Sequence, residues 1–278
     1  MHVTKPRIIL SNLIAAFAGF WLASHWKIDW VLLIVTMAGT ALVMGGACAL
    51  NNVIDRELDR KMERTSRRPL AMGRLNPRIV AVYAIILFLI GEGLLFAANA
   101  LTALLGFIGF FFYVVVYTLW LKRTSTLSTS VGGVSGAMPP VIGYVAVTNE
   151  IDIGAWLLFA ILFLWQPPHF WALGIRRVEE YRAAGFPLLP VVKGVHRTKI
   201  QMVPYVALLT VATTLLYVYG YVSVIYPIVT GVMGLIWLVY CLAGFVAKDD
   251  RIWARKTFLF SVNYLTVINI MLVLSTPS

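Results

Sequence analysis

The stretch Asn51-Asn52-Val53-Ile54-Asp55-Arg56-Glu57-Leu58-Asp59 sets an amide and two carboxylates at positions i, i+4 and i+8. In a helix, a turn of about 100° and a rise of about 1.5 Å per residue put these three on one face, each about 6 Å from the next. That face offers oxygen donors, and paired carboxylates suit Mg²⁺, which keeps waters and takes further ligands from phosphate oxygens. Asn51, Asp55 and Asp59 are therefore the candidate metal ligands, with the two acids as candidate catalytic groups. Arg56, Arg60, Lys61, Arg64, Arg67 and Arg68 surround the row in sequence. Guanidinium and ammonium groups grip the oxygens of a polyanion, so the combination predicts a metal-bridged diphosphate. A merely solvated helix extension also mixes acids and bases, at about 0.2–0.5 kcal/mol per pair, but it has no need of the N-x-x-x-D-x-x-x-D spacing.

A second polar stretch runs from Arg176 to Lys199. Glu179 and Glu180 are candidates to complete a metal site opposite Asp55 and Asp59, while Lys193, Arg197 and Lys199 are candidates to meet phosphate oxygens. Gly185, Pro187 and Pro190 break regular helix there and predict a shaped, closing loop. Two apolar segments carry proline pairs: "GAMPPVIGY" (136–144), with Tyr144, and "WQPPHFWAL" (165–173), with His169 and Trp171. The prolines are expected to loosen helix at both places, and polar groups in such segments face protein or a cavity. His169 is a candidate general base or ligand contact; Tyr144 and Trp171 are candidate pocket walls. Glu92 is a further ionisable group in an apolar segment, expected to be neutral or paired.

The elements that must position these residues are membrane-spanning helices. The chain has 278 residues, 60% of them apolar and 13% charged, with a mean hydropathy of +0.84, far outside the range of soluble domains. Apolar runs long enough to cross a hydrocarbon core of about 30 Å recur along it. Nine spans are predicted, at 8–24, 30–50, 79–98, 101–121, 127–148, 153–173, 202–220, 224–246 and 257–275. The chain is thus expected to be an all-α polytopic bundle forming one domain over 1–278, with its polar loops at 51–78 and 174–201. The first run has no clear cleavage site and is read as a span, not as a signal peptide. With alternating helices, Lys27 alone of the 23 lysines and arginines falls on one side. The positive-inside rule then places the N-terminus and both polar loops in the cytoplasm. The net charge of +11 is accounted for by topology and contact with membrane lipids, with no nucleic-acid partner. Cys48 and Cys241 lie in separate spans and are read as packing residues.

The row at 51–59 followed by "RKMERTSRRP", the second motif in the loop after span 6 and the nine spans resemble the UbiA superfamily of intramembrane prenyltransferases. "VTKPRI" (3–8), "SGAMPPVIGY" (135–144), "WQPPHFWAL" (165–173), "YRAAGFPLLPVVKG" (181–194) and "DDRIWARKTFLFS" (249–261) resemble its haem-directed branch. The resemblance implies a UbiA-like fold, Mg²⁺ as cofactor, and farnesyl diphosphate and haem B as substrates. The implied products are haem O and diphosphate, with water added at a haem vinyl. By the same resemblance Asn51, Asp55, Asp59 and Glu180 hold metal. Arg56, Arg60, Lys61, Arg64, Tyr181, Lys193 and Arg197 bind diphosphate or substrate, and His169 meets the haem. The second motif departs from other branches, which carry aspartates where this chain has Arg177, Glu179, Glu180 and Tyr181. An aromatic quinone precursor is the alternative acceptor; a transporter or a structural subunit would have no use for an acid pair set among arginines. A bacterial cell membrane is expected, and a haem A synthase or terminal oxidase is the implied neighbour in use of the product.

Overall fold

Polar side chains at helix starts punctuate this apolar chain. In the computed structural model, which describes residues 2–277, Asp29, Asn76, Asn99, Asp152 and Asp249 each accept hydrogen bonds from backbone N–H groups of a following helix. These are donors that the helix itself leaves unsatisfied. The helices are α1 (Pro6–Ser24), α2 (Trp30–Asp59), α3 (Pro77–Ala98), α4 (Ala100–Thr124), α5 (Ser128–Thr148) and α6 (Ile153–Arg176). The short α7 (Val178–Ala183) and α8 (Leu189–Val192) follow, then α9 (Gly194–Val218), α10 (Ile225–Val246) and α11 (Asp250–Leu274). Among the described residues, the nine long helices are each apolar enough to cross a membrane.

Most predicted span edges hold to within a few residues. The exceptions are helices whose polar ends continue past the apolar run: α2 extends to Asp59, α9 begins at Gly194 and α11 at Asp250. Backbone hydrogen bonding does not end where hydrocarbon does, so a helix projects while its propensity allows. The tight break between α3 and α4 falls at Asn99, whose side chain caps α4 through Thr102 N (2.7 Å) and donates to the Val145 and Ala146 carbonyls of α5.

α5 and α6 form the centre: 61% of each membrane window is buried, against 22% for α3 and α4. The latter pair turns residues such as Ile79, Val82, Ile86 and Leu89 outward, where lipid replaces protein as the contact. The expected loosening at the proline pairs does not occur. α5 runs unbroken through Pro139 and Pro140, and α6 through Pro167 and Pro168. Close helix contacts hold them: a Cβ at Gly19 would lie 2.0 Å from the Pro140 carbonyl oxygen, and one at Gly143 would lie 1.9 Å from that of Ala16. α1 and α5 therefore cross backbone to backbone, as small residues permit in membranes. Gln166 adds a cross-link from α6, donating to the Gly133 carbonyl of α5 at 3.0 Å.

At the bundle face opposite the polar loops, Asp152 accepts from the hydroxyls of Tyr144 (2.8 Å) and Tyr221 (3.1 Å) while it caps α6. Burial raises the Tyr221 hydroxyl above its ordinary value and the Asp152 carboxylate adds to that, so it donates at neutral pH. Cys48 and Cys241 are buried free thiols. Among the described residues Glu92 forms no ion pair, and its Oε1 is buried without a hydrogen-bond partner, near Gly106 of α4.

Candidate active site

At about 1.5 Å per residue a 30-residue helix is about 45 Å long, longer than the hydrocarbon core, so the last turns of α2 clear it. Asn51, Asp55 and Asp59 lie on those turns, and all three are buried by the segments that converge on them. Asn51 Nδ2 donates to Asp55 Oδ2 at 2.9 Å and to Thr118 Oγ1 at 3.1 Å, and its Oδ1 accepts from Lys5 Nζ at 2.7 Å. Asp55, fully buried, pairs with Lys122 and with Arg123 (3.3 Å). Asp59 pairs with Arg68 at 2.7 Å, and the same guanidinium nitrogen reaches Asn52 Oδ1 at 3.2 Å.

Each partner arrives by a local device. Lys5 sits in the left-handed backbone region (φ 55°) just before Pro6, which turns the chain into α1 and aims the ammonium at α2. Burial pushes the Lys5 ammonium down to about 8, and the nearby Arg68 and Lys122 act in the same direction. In α4, residues Phe112–Leu121 adopt wider π-helical turns, a feature frequent at functional sites. Within it Thr118 Oγ1 bonds the Tyr113 carbonyl at 2.7 Å, which presents Thr118 to Asn51 and, one turn on, Lys122 and Arg123 to Asp55. The segment after α2 doubles back so that Thr65 Oγ1 donates to the Asp59 carbonyl at 3.0 Å.

The two polar loops close on each other mainly through apolar contact. Met62 of the first is buried with Ala184 and Phe186 of the second, and Leu58, Tyr181 and Leu188 pack around them. Lys122 Nζ stands 5.0 Å from the centre of the Phe186 ring, within cation–π range. Burial raises the Tyr181 hydroxyl. Helix is interrupted at Gly185 and Pro187 as expected, but Pro190 does not break one: it sits in the first turn of α8, where its missing N–H costs nothing.

Other predicted residues are placed elsewhere. Glu180 does not join the acid row: its carboxylate accepts from Arg177 at 2.9 Å and from the Arg64 backbone N–H at 3.3 Å. Among the described residues no group of three or more His, Cys, Asp or Glu side chains forms a metal cluster. Asp55 and Asp59 draw cations around themselves, and Glu180 acts as a tie between loops. Arg56 and Arg60 turn to Glu57 (3.4 and 2.7 Å) and to the Val53 and Ala71 carbonyls. Lys61, Lys193 and Arg197 are exposed, and no ion pair joins them to the acids among the described residues. Lys199 is buried against Asp250 and the Gly244 carbonyl (2.6 Å), so it ties α9 to α11. Tyr144 is held by Asp152 at the far face, away from the acid row. Trp171 is buried edge-on to Tyr205 with ring centres 5.3 Å apart.

His169 lies seven residues before Arg176 on α6, about 10 Å inside that helix end. Its ring stacks between Trp165 (4.4 Å) and Phe258 (4.6 Å), and Nδ1 is 2.7 Å from Ser261 Oγ. The one hydroxyl proton of Ser261 goes to the Phe258 carbonyl at 2.6 Å, so Ser261 accepts from Nδ1–H and leaves Nε2 with the free lone pair.

Lys5, Thr118, Lys122 and Arg123 were not legible as site residues. Each lies at a span end, where lysine and arginine report topology, and the π-helical turn has no sequence pattern of its own.

This geometry defines a class: a multi-pass integral membrane protein in which the end of α2 carries an acid row ringed by cations from the segment before α1, the loop after α2 and the end of α4. The chain belongs to the UbiA prenyltransferase family, whose model matches residues 12–263. It is 47% identical over 277 residues to the Protoheme IX farnesyltransferase of Alkalihalophilus pseudofirmus, covering 98% of this chain and 88% of that one. To the enzyme of the same name from Escherichia coli O1:K1 / APEC it is 47% identical over 273 residues, covering 98% and 92%. Among solved structures, a digeranylgeranylglyceryl phosphate synthase superposes with a TM-score of 0.84 at 17% identity, covering 98% of this chain and 95% of that one. A UbiA homologue from Archaeoglobus fulgidus bound to DMAPP and Mg²⁺ gives 0.70 at 15% identity, covering 98% and 97%. The two structures share the fold.

Proposed function

We propose that this chain transfers the farnesyl group of farnesyl diphosphate to a vinyl group of haem B, with addition of water, giving haem O and diphosphate. The observation that carries the reading is the Asp55–Asp59 row in its cage of Lys5, Arg68, Lys122 and Arg123; near-half identity to the relatives over almost the whole chain supports the choice of acceptor.

The donor set fits a hard cation: two carboxylates and an amide oxygen on one helix face, with no sulfur or imidazole among them. Asn51, Asp55 and Asp59 would hold Mg²⁺, and the solved Archaeoglobus fulgidus homologue bound to DMAPP and Mg²⁺ supports this choice of cation. Bound there, Mg²⁺ would offset the charge that gathers on the departing diphosphate.

The chain's own groups do the rest. Lys122, Arg123 and Arg68 neutralise the acids, and the same three groups would be the ones to meet phosphate oxygens if those carboxylates held Mg²⁺. Fixed positive charge aimed at the leaving group lowers the barrier to its departure. Lys5 orients Asn51 by holding its oxygen. The buried faces of α5 and α6 exclude water from the allylic cation until the vinyl carbon attacks. The new cation beside the porphyrin is then quenched by one water, and the single free lone pair on His169 Nε2 would serve either to take that water's proton or to contact the haem iron, not both. The acid row faces the cytoplasm of a bacterial cell in this reading, because the lysine- and arginine-rich loops lie on its side.

The test is to incubate membranes containing this chain with haem B, farnesyl diphosphate and Mg²⁺ and to analyse extracted haems by mass spectrometry. A haem that gains farnesyl plus water, absent with Asp55→Ala, is the expected product. A prenylated quinone precursor with no haem product would overturn the acceptor.

A further inference from the structure

Ser261 of α11 holds two side chains of α6 at once. Its hydroxyl oxygen stands 2.7 Å from His169 Nδ1, and its carbonyl accepts from Trp165 Nε1 at 2.8 Å. All three residues are buried. The indole held in this way covers one face of the imidazole, and Phe258, whose carbonyl takes the Ser261 proton, covers the other. Turning that proton toward Nδ1 instead would leave two oxygens 2.6 Å apart with no hydrogen between them. The donation therefore runs one way, from Nδ1 through Ser261 to the Phe258 carbonyl, and a ligand can meet the ring's lone pair only at the Nε2 edge.

A base and a metal ligand place different demands on such a ring. A base ends its step as an imidazolium, and a buried imidazolium needs a carboxylate or an equivalent partner. Among the described residues no acid pairs with His169, and the partner of Nδ1 is a neutral hydroxyl whose own proton is committed elsewhere. A ligand stays neutral. Its needs are the ones met here: a fixed tautomer, a fixed ring plane and an acceptor for the second N–H. Haem iron takes such an imidazole nitrogen as an axial ligand.

We infer that His169 Nε2 is the axial contact to the iron of the porphyrin acceptor, and that Ser261 is the positioning residue that presents it. The inference rests on the proposed haem reaction and deepens it, because it assigns His169 to holding the acceptor rather than to proton transfer. It also makes the iron a determinant of specificity: a porphyrin without metal offers nothing for the Nε2 lone pair to bind. Ser261 acts on both coordinates of the contact, the tautomer through its hydroxyl and the ring plane through the Trp165 indole that its carbonyl holds.

The experiment uses the solubilised full-length enzyme and two probes, ferric haem B and metal-free protoporphyrin IX. Binding is titrated by the Soret band and turnover is read on haem B, for wild type, His169→Ala, Ser261→Ala and the near-isosteric pair Ser261→Thr and Ser261→Val. Expected is a wild type that binds haem B about tenfold or more tightly than protoporphyrin IX, with a Soret shift of histidine ligation. His169→Ala should lose the shift and the preference together. Ser261→Ala and Ser261→Val should weaken haem B about tenfold and leave protoporphyrin IX within about twofold, while Ser261→Thr, which restores a hydroxyl, keeps most of the preference. The comparison of Thr with Val isolates the hydroxyl even where Ser261→Ala lowers stability. Lost turnover in His169→Ala with unchanged haem affinity would make His169 a base, and equal weakening toward both porphyrins would make it a pocket wall. A Ser261→Val enzyme that binds haem B as Ser261→Thr does would take the positioning role from Ser261. Each of these overturns the inference. Wild-type enzyme that yields no farnesylated haem sinks the function itself, and the titrations still decide the iron contact.

Discussion

Lys122 and Asp55, 67 residues apart in sequence, form an ion pair in which the carboxylate is fully buried. Arg123 reaches the other oxygen of the same carboxylate at 3.3 Å. The buried acid is thus kept neutralised by groups that, in the proposed function, would next meet the diphosphate, so the Asp55 charge is not left uncompensated.

Asp55→Asn removes a proposed metal ligand and takes the carboxylate away from Lys122 and Arg123. Haem O formation should fall about 10²-fold or more, comparable to loss of a charge-stabilising group in other active sites. Mass spectrometry of extracted haems measures it, and a variant with near-normal turnover would remove Asp55 from the machinery.

Lys122→Met keeps the apolar stem and deletes the ammonium. A hydrogen bond to a charged group is worth about 1.5–3 kcal/mol, so KM for farnesyl diphosphate should rise roughly tenfold or more. KM for haem B should change little. Steady-state kinetics with each substrate varied in turn separates the two.

Chelation with EDTA should abolish turnover, and added Mg²⁺ should restore it, because the acid row offers only oxygen ligands on one helix face. Turnover that survives exhaustive chelation would mean that Lys5, Arg68, Lys122 and Arg123 alone neutralise the leaving group.

Gly143→Ala would put a methyl group 1.9 Å from the Ala16 carbonyl oxygen. Overpacking of this kind costs about 1–3 kcal/mol, read as a lower unfolding temperature in detergent. Gly231→Ala is the control: nothing lies within 4 Å of its Cβ position, and alanine is the better helix former.

Asp152→Ala strips the cap from α6 and the acceptor from the Tyr144 and Tyr221 hydroxyls. Lost cap and hydrogen bonds together should destabilise by about 1–3 kcal/mol. Since this cluster is at the face opposite the acid row, kcat measured below the unfolding temperature should be retained. A selective loss of haem turnover would return Tyr144 to the substrate pocket.

What the sequence determined by itself was local. Hydrocarbon thickness sets a helix length, so nine spans could be read from runs of apolar residues, and a four-residue spacing put Asn51, Asp55 and Asp59 on one helix face before any packing was known. Tertiary structure decided what meets that face. Lys5 comes from 46 residues away and Lys122 and Arg123 from 67 and 68, and no periodicity links residues so separated. It also turned Glu180 to Arg177 and Arg64, sent Tyr144 to the opposite face, and kept α5 and α6 helical through their proline pairs. The reason is physical: a charge within reach of several partners chooses by the geometry of whole helices, and that geometry is set by contacts such as Gly19 on Pro140 and Gly143 on Ala16 rather than by the neighbours of the charge in the chain.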